Sequence, residues 1–345
     1  MIAEGSILFG IFFVALFLNV PIGISLGLAA GAATLAVKGT ISPLIITALS
    51  TLDQKFTLTA IPFFILSAAF LGSGGTARRI VQFAIAAVGH FRGGMAMAGV
   101  FACMMFASLS GSSPATVAAV GSLSIDGMKK AGYPKSFAAG VICNAGTLGI
   151  LIPPSIVMVV YAAATDESVG RMFLAGVVPG LLAGLALMAG IWWRARHLDI
   201  VWLKWAGWRA VLVSGRDAFF GLLLIVVILA GIYRGFFTPT EAAAFAAVYG
   251  YVVAVFVYRE IGPLKNTAWR EPGEGPGRAT ARAVAGSVLW LLPAIFHREV
   301  RQVLFDGGRL SLVVMFIIFN AIMFSHVLTD ARIPRRSARS FQRRA

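Results

Sequence analysis

The chain has 345 residues, of which 59% are hydrophobic and only 12% charged, and it carries a formal net charge of +15. Its mean hydropathy is +0.86, whereas a soluble domain devotes about a quarter of its residues to charge, so a water-soluble globular protein is excluded. Continuously apolar stretches such as "AFFGLLLIVVILAGIY" exclude a β-barrel, whose strands alternate polar and apolar residues, and predict an all-α polytopic membrane protein.

Apolar segments follow one another near residues 6 to 20, 22 to 37, 56 to 72, 80 to 90, 94 to 108, 112 to 125, 137 to 163, 172 to 193, 217 to 233, 239 to 258, 284 to 296 and 309 to 328. The first has an acidic Glu4 and no small-residue cleavage site after it, so it reads as a retained span and not as a signal peptide. Several segments are too short to cross about 30 Å of hydrocarbon, which takes about 20 helical residues. The pair at 94 to 108 and 112 to 125 is joined by "LSGSSPA", which predicts a re-entrant hairpin over 94–125 whose polar tip stops near mid-membrane. Unsatisfied backbone there costs several kcal/mol, so such a tip needs protein or a wet cavity around it. A water-exposed turn between two ordinary spans is the other reading.

The next segment, 137–163, contains Gly146, Gly149, Pro153 and Pro154 and predicts a broken helix. Proline has no N–H and disfavours helical geometry in its predecessor, so the carbonyls from Leu148 to Ile152 are expected to lose their helical partners and become available to cations. Two interruptions rich in Gly and Pro point to the binding site of a secondary transporter. Asn144, a lone amide in this run, either bonds a neighbouring helix or faces the cavity.

Residues 194–216 carry Arg194, Arg196, Lys204, Arg209 and Arg216 against Asp199. This is the pattern of a cytoplasmic connection, and Trp202, Trp205 and Trp208 suit a short helix at headgroup level. The polar, Gly- and Pro-rich loop 259–283 reads in the same way. In "GFFTPTEAAAFAAVYG", Thr238, Pro239 and Glu241 predict a capping box that starts a span near the interface. Arg78, Arg79, His90 and Arg92 are expected to anchor loops at the surface. Asp126, Lys129 and Lys130 should flank the base of the hairpin, and Asp166, Glu167 and Arg171 should lie in a solvated loop. The net charge is thus a matter of topology and does not imply nucleic acid. Cys103 and Cys143 read as small core residues, and the four histidines lack metal spacing. Neither a Walker A nor a GxSxG motif occurs, so no ATP motor and no hydrolase nucleophile are offered.

In chain order, "AIPFFILSAAFLGSGGTARRIVQFA", "VGHFRGGMAMAGV", "SLSGSSPATVAAVG", "GYPKSFAAGV", "LGILIPPSIVMVVYA" and "GIYRGFFTPTEAAAFAAVYG" resemble signature blocks of the large membrane subunit of tripartite ATP-independent periplasmic (TRAP) transporters, the DctM-like family. The resemblance implies a secondary transporter of the bacterial inner membrane that is not an enzyme. It would import small organic anions, typically carboxylates, and need no cofactor beyond sodium as coupling ion. Implied partners are a periplasmic solute-binding protein and a small four-helix membrane subunit. The implied partition is N-terminal helices in 1–55, a first transport-repeat half in 56–193 with the hairpin and broken helix, and the basic connection 194–216. Scaffold-type helices in 217–258, the loop 259–283, the start of a second repeat in 284–330 and a basic tail in 331–345 complete it.

By the same resemblance, Ser110, Gly111, Ser112, Ser113, Pro114 and Thr116 form the tip of the first hairpin. Asn144, Gly146, Thr147, Gly149, Pro153 and Pro154 belong to the adjoining broken helix, and sodium is placed at Ser110, Ser112, Gly146 and Gly149. The hydroxyls offer ligands, Gly111 lets the backbone approach, and Pro114 suits the first turn of a returning helix whose positive end favours a carboxylate. Members of the family also carry a second, inverted copy of these elements. The all-basic ending "RRSARSFQRRA" departs from that pattern, as does the region around 270–299, and reads as a truncation or as a basic cytoplasmic tail. One repeat supplies half of a midplane site, so this chain alone is expected not to support coupled transport. A symporter that needs no binding protein, a membrane enzyme acting on lipid and a purely structural subunit are the alternatives. The enzyme would need clustered carboxylates or histidines, and the sequence has no such cluster.

Overall fold

A computed structural model describes residues 2–197, 200–201, 203–265 and 292–331, with the single positions 267, 286, 289 and 290. All regular structure among the described residues is helical. The chain divides into two compact units, one made of residues 1–58 with the chain from 309 onward, the other of residues 59–308.

The first unit holds α1 (Ile2–Phe17), α2 (Ile22–Lys38) and α3 (Ser42–Gln54), together with the last part of a 33-residue helix, Arg298–Asp330, which begins in the second unit. Pro21 stands just before α2, where a missing N–H costs nothing, and Gly39 closes it by donating its N–H to the Leu35 carbonyl at 3.0 Å. No segment was expected at α3. Its Thr47, Ser50 and Thr51 hydroxyls donate to carbonyls four residues back at 2.7 to 2.8 Å, so a helix forms from a stretch that carries too much polarity to register as an apolar run. Leu8, Ala29, Ala33, Ala48, Met323 and Val327 make the core of this unit.

The second unit runs through α4 (Ala60–Ser73), α5 (Thr76–Val88), α6 (Gly94–Ser110), α7 (Ser113–Lys130), α8 (Lys135–Gly146), α9 (Leu148–Leu151), α10 (Ile156–Thr165), α11 (Val169–Ala195), α12 (Gly207–Tyr233) and α13 (Pro239–Val252). The long helix Arg298–Asp330 is α14. Small residues set how closely these helices approach. On α13, Ala242, Ala243, Ala246, Ala247 and Gly250 form the buried face, and Gly250 lies against the Ser67 carbonyl of α4. On α11, Gly176, Gly180 and Gly184 make a ladder one turn apart, packed on Met158, Ile152 and Met104 respectively. Such stripes let helix backbones meet where lipid gives no hydrophobic drive to association.

The broken span Lys135–Thr165, α11, α12 and α14 are each long and apolar enough to cross a membrane, as are Phe56–Ser73 and Pro239–Val257. At about 1.5 Å per residue, a helix as long as α11 or α12 reaches about 40 Å, more than the hydrocarbon thickness.

The structure corrects three expectations. The described part of the 194–216 connection is not a short surface helix. Val201 donates its N–H to the Ala131 carbonyl at 3.0 Å, Trp205 stacks edge-on against His90, and α12 starts already at Gly207, with Trp208 in its first turn. Trp202 and Asp199 lie outside the described residues, as do 268–285 and the tail beyond Ala331. Cys103 is buried as expected, but Cys143 is exposed, because an apolar run does not mark which side of a helix faces protein. Finally, Arg78 and Arg79 do not simply anchor a loop. Both reach the Glu260 carboxylate, at 2.5 and 3.1 Å, and the Arg79 guanidinium lies 4.0 Å from the Tyr258 ring centroid.

Candidate functional site

The hairpin α6–α7 turns on Gly111, which takes the left-handed conformation (φ +59°) and donates its N–H to the Ala107 carbonyl at 2.8 Å. Ser112 is extended, and α7 begins with Ser113 and Pro114, where proline's lost N–H is one of the helix's open donors in any case. Ser110 and Thr116 are fully buried, with hydroxyl oxygens 2.9 Å apart. The Thr116 hydroxyl donates to the Ser112 carbonyl at 2.9 Å. The Ser110 hydroxyl also reaches the Ser112 carbonyl, at 3.3 Å. Three oxygens, Ser110 Oγ, Thr116 Oγ1 and Ser112 O, are thereby gathered at one point.

The broken helix ends its first part at Gly146, makes the single turn α9, passes through a non-helical bend at Ile152–Ser155 and restarts as α10. Not every carbonyl expected to be free is so. Ile152 turns its N–H back to Leu148 O at 2.8 Å, which satisfies that group. Pro153 and Pro154 have no hydrogen to give the Gly149 and Ile150 carbonyls.

These two interruptions meet. Ile156, the first residue of α10, donates its N–H to the Gly111 carbonyl at 3.1 Å. A methyl group on Gly111 would lie 2.8 Å from Pro154 O, and one on Gly149 would lie 3.0 Å from Ser113 N. At Gly146 the obstacle is instead a side chain, Val117 Cγ2 at 2.2 Å. Tip and break are therefore in backbone contact, a juxtaposition no local sequence signal gives.

Two hydroxyls at this seam have no hydrogen-bond partner although their oxygens are buried: Ser113 Oγ and Ser155 Oγ. Ser112 and Ser155, the residues preceding α7 and α10, make no side-chain cap. The first turns of both helices thus bring open N–H groups and positive helix ends to one place. Ser155 was absent from the expected site residues. Its signal was its place just before an apolar run, the usual position of a helix cap.

Asn144 and Thr147 do not join the cluster. Both are exposed and turn back on their own helix, Asn144 Nδ2 donating to Gly140 O at 2.8 Å and Thr147 Oγ1 to Asn144 O at 2.7 Å. Pro114 is exposed, whereas Pro153 and Pro154 are buried.

The long helices gauge the depth of the seam. At the hairpin's base Gly93 packs on Ala195, the last residue of α11, while at the tip Ile152 packs on Gly180, well inside that helix. By the helical rise, about 22 Å of α11 lie between these levels out of about 40 Å. Against α12, Leu109 and Thr76 meet Gly221, again in its middle. The hairpin enters from the end where Arg92, Lys129, Lys130, Arg194 and Arg209 gather and stops about halfway along helices long enough to cross a membrane.

Fold and site thus define a multi-pass helical membrane protein with two backbone interruptions joined in its interior. The family model described as "Tripartite ATP-independent periplasmic transporter, DctM component" matches residues 9–342, and the chain belongs to that family. The matched range runs through 259–283 and into 331–342, stretches set apart by motif reading alone. Among relatives, the C4-dicarboxylate TRAP transporter large permease protein DctM of Vibrio cholerae is 52% identical over 317 residues, covering 92% of this chain and 67% of the relative. The protein of the same name from Pseudomonas aeruginosa is 53% identical over 282 residues, covering 82% of this chain and 58% of that one. The one from Rhodobacter capsulatus is 41% identical over 344 residues, covering 95% and 70%. The chain therefore spans between 58% and 70% of the length of these relatives. With these relatives and six crossing-length helices among its described residues, it is a multi-pass protein of the inner membrane.

Proposed function

We propose that this chain acts as the large membrane subunit of a sodium-driven importer of small organic anions. C4-dicarboxylates are the first substrate class, since the three relatives carry that class in their names. In this reading a periplasmic binding protein delivers the anion and a small four-helix subunit completes the membrane part. The observation that supports it best is the Gly111–Ile156 hydrogen bond, which joins two polar interruptions in the interior of unit 2.

The chemistry at the seam suits the two solutes differently. A carboxylate fits the open first turns of α7 and α10, where the unpartnered Ser113 and Ser155 hydroxyls add donors. Sodium prefers oxygens, which Ser110, Thr116 and the Ser112 carbonyl supply, with the Gly149 carbonyl released by Pro153. Gly146 lets Val117 of α7 pack against its backbone.

The test is uptake of radiolabelled succinate by proteoliposomes holding this chain, the small subunit and an external binding protein. This reading replaces the expectation that one repeat cannot support transport: uptake is expected with an inward sodium gradient and absent with potassium in its place, and no uptake under either gradient would return the chain to that expectation. Equal uptake under both gradients, or uptake that does not need the binding protein, would overturn the reading.

A further inference from the structure

At the basic end of the second unit, far from the seam, the link between α11 and α12 folds over the end of α5. A groove of about 310 Å³ opens there, lined by Gln82, Ile85, Ala86, His90, Leu203 and Lys204, with Ala206 at its edge. That volume sits at the low end for ligand sites, about 300 Å³ and upward. It is room for a headgroup and the first carbons of a chain, not for a whole lipid.

The groove is built in two halves. Ile85, Ala86 and Leu203 make an apolar wall, and Lys204, His90 and Gln82 bring the polar groups. His90 is clamped between Phe91, at 4.1 Å between ring centroids, and Trp205, at 4.3 Å. Its Nδ1 is buried without a hydrogen-bond partner, which leaves Nε2 as the ring nitrogen that could donate to a ligand. Trp205 packs edge-on against Trp208, and both rings are largely exposed, as tryptophans at headgroup level are. Arg92, Lys129, Lys130, Arg194 and Arg209 lie at or next to the ends of α6, α7, α11 and α12.

We propose that this groove binds an anionic phospholipid of the cytoplasmic leaflet. Its phosphate would accept from Lys204 Nζ and His90 Nε2, and its first acyl carbons would lie along Ile85, Ala86 and Leu203. Charge complementarity selects this occupant. The groove lies at the level where helices end and tryptophans face the interface, it offers a cation at Lys204 and no carboxylate among its lining residues, and excess Lys and Arg mark the leaflet that carries anionic lipid.

The experiment is native mass spectrometry of the purified full chain, delipidated in detergent and titrated with phosphatidylglycerol or phosphatidylcholine. One phosphatidylglycerol should be retained in preference to phosphatidylcholine, and millimolar inorganic phosphate should not displace it. Lys204→Gln should weaken retention about fivefold, the value of one surface cation near anionic lipid, and Lys204→Arg should restore it. Ala86→Phe, which fills the groove and leaves every charge in place, should abolish the preference, with an unchanged melting temperature in detergent showing that the variant is folded. Equal retention of the two lipids, displacement by free phosphate, or a preference that survives both Lys204→Gln and Ala86→Phe would overturn the proposal.

Discussion

Helices α13 and α7 both begin on a hydroxyl residue followed closely by proline, and they are finished in opposite ways. At α13, Thr238 Oγ1 accepts from the Glu241 N–H at 3.3 Å, and the Glu241 carboxylate accepts from the Thr238 N–H at 2.8 Å and its hydroxyl at 2.9 Å. Both Thr238 and Glu241 turn their polar groups inward to their own helix. At α7, Ser112 forms no side-chain cap and Ser113 Oγ has no partner, and the same holds at α10 for Ser155. The closed cap is exposed and could have been left to water; the open ones are buried, where an unpaired group costs about 1–3 kcal/mol. Under the proposed function, those bare ends are where the anion would be held.

The sharpest way to break this contrast is at the tip. Gly111→Val would place a branched side chain at φ +59° and against the Pro154 carbonyl. The left-handed conformation alone costs about 1–2 kcal/mol, so a loss of at least ~2 kcal/mol in thermal unfolding and of all sodium-driven uptake is expected. Normal uptake by this variant would remove the tip from the site.

Gly146→Ala meets a side chain, so it should lose about 1–3 kcal/mol and regain most of it when combined with Val117→Ala. No recovery in the double variant would show that Gly146 does more than pack. Ser113→Ala with Ser155→Ala separates site from scaffold. Hydroxyls that bond nothing in the protein can be removed without loss of stability, yet succinate KM should rise roughly tenfold if they donate to a carboxylate. A fall in melting temperature with unchanged KM would put them in the scaffold.

Thr238→Ala should do the reverse, costing about 1 kcal/mol of stability with uptake kinetics unaltered. The smallest effect belongs to Asn144→Ala, within about 0.5 kcal/mol and with no change in KM, because its amide only returns to Gly140.

Much of this was legible in the sequence where chemistry is punctuated. Pro114, Pro153 and Pro154 place helix breaks whatever surrounds them, and Thr238-Pro-Thr-Glu241 spells its own cap. Three features were not legible, each because it depends on distant partners or a helix face. The meeting of Gly111 with Ile156 joins residues from different helices. The outward aim of Asn144 and Cys143 depends on helix phase in a run with no polar stripe. The pairing of Arg78 and Arg79 with Glu260 spans most of the second unit in sequence. Helix α3 was missed for a local reason, since its hydroxyls raise polarity while satisfying one another's backbone.

The bond from Ile156 to Gly111 also restricts how a solute could be released. A loop tip free of its surroundings could lift like a flap and uncover cargo by itself. Here such lifting would break the bond, pull Gly149 off Ser112 and Ser113, and leave the bare carbonyls of Gly149 and Ile150 behind. Under the proposed function, release of a solute from this seam would have to move the tip and the restarted helix together.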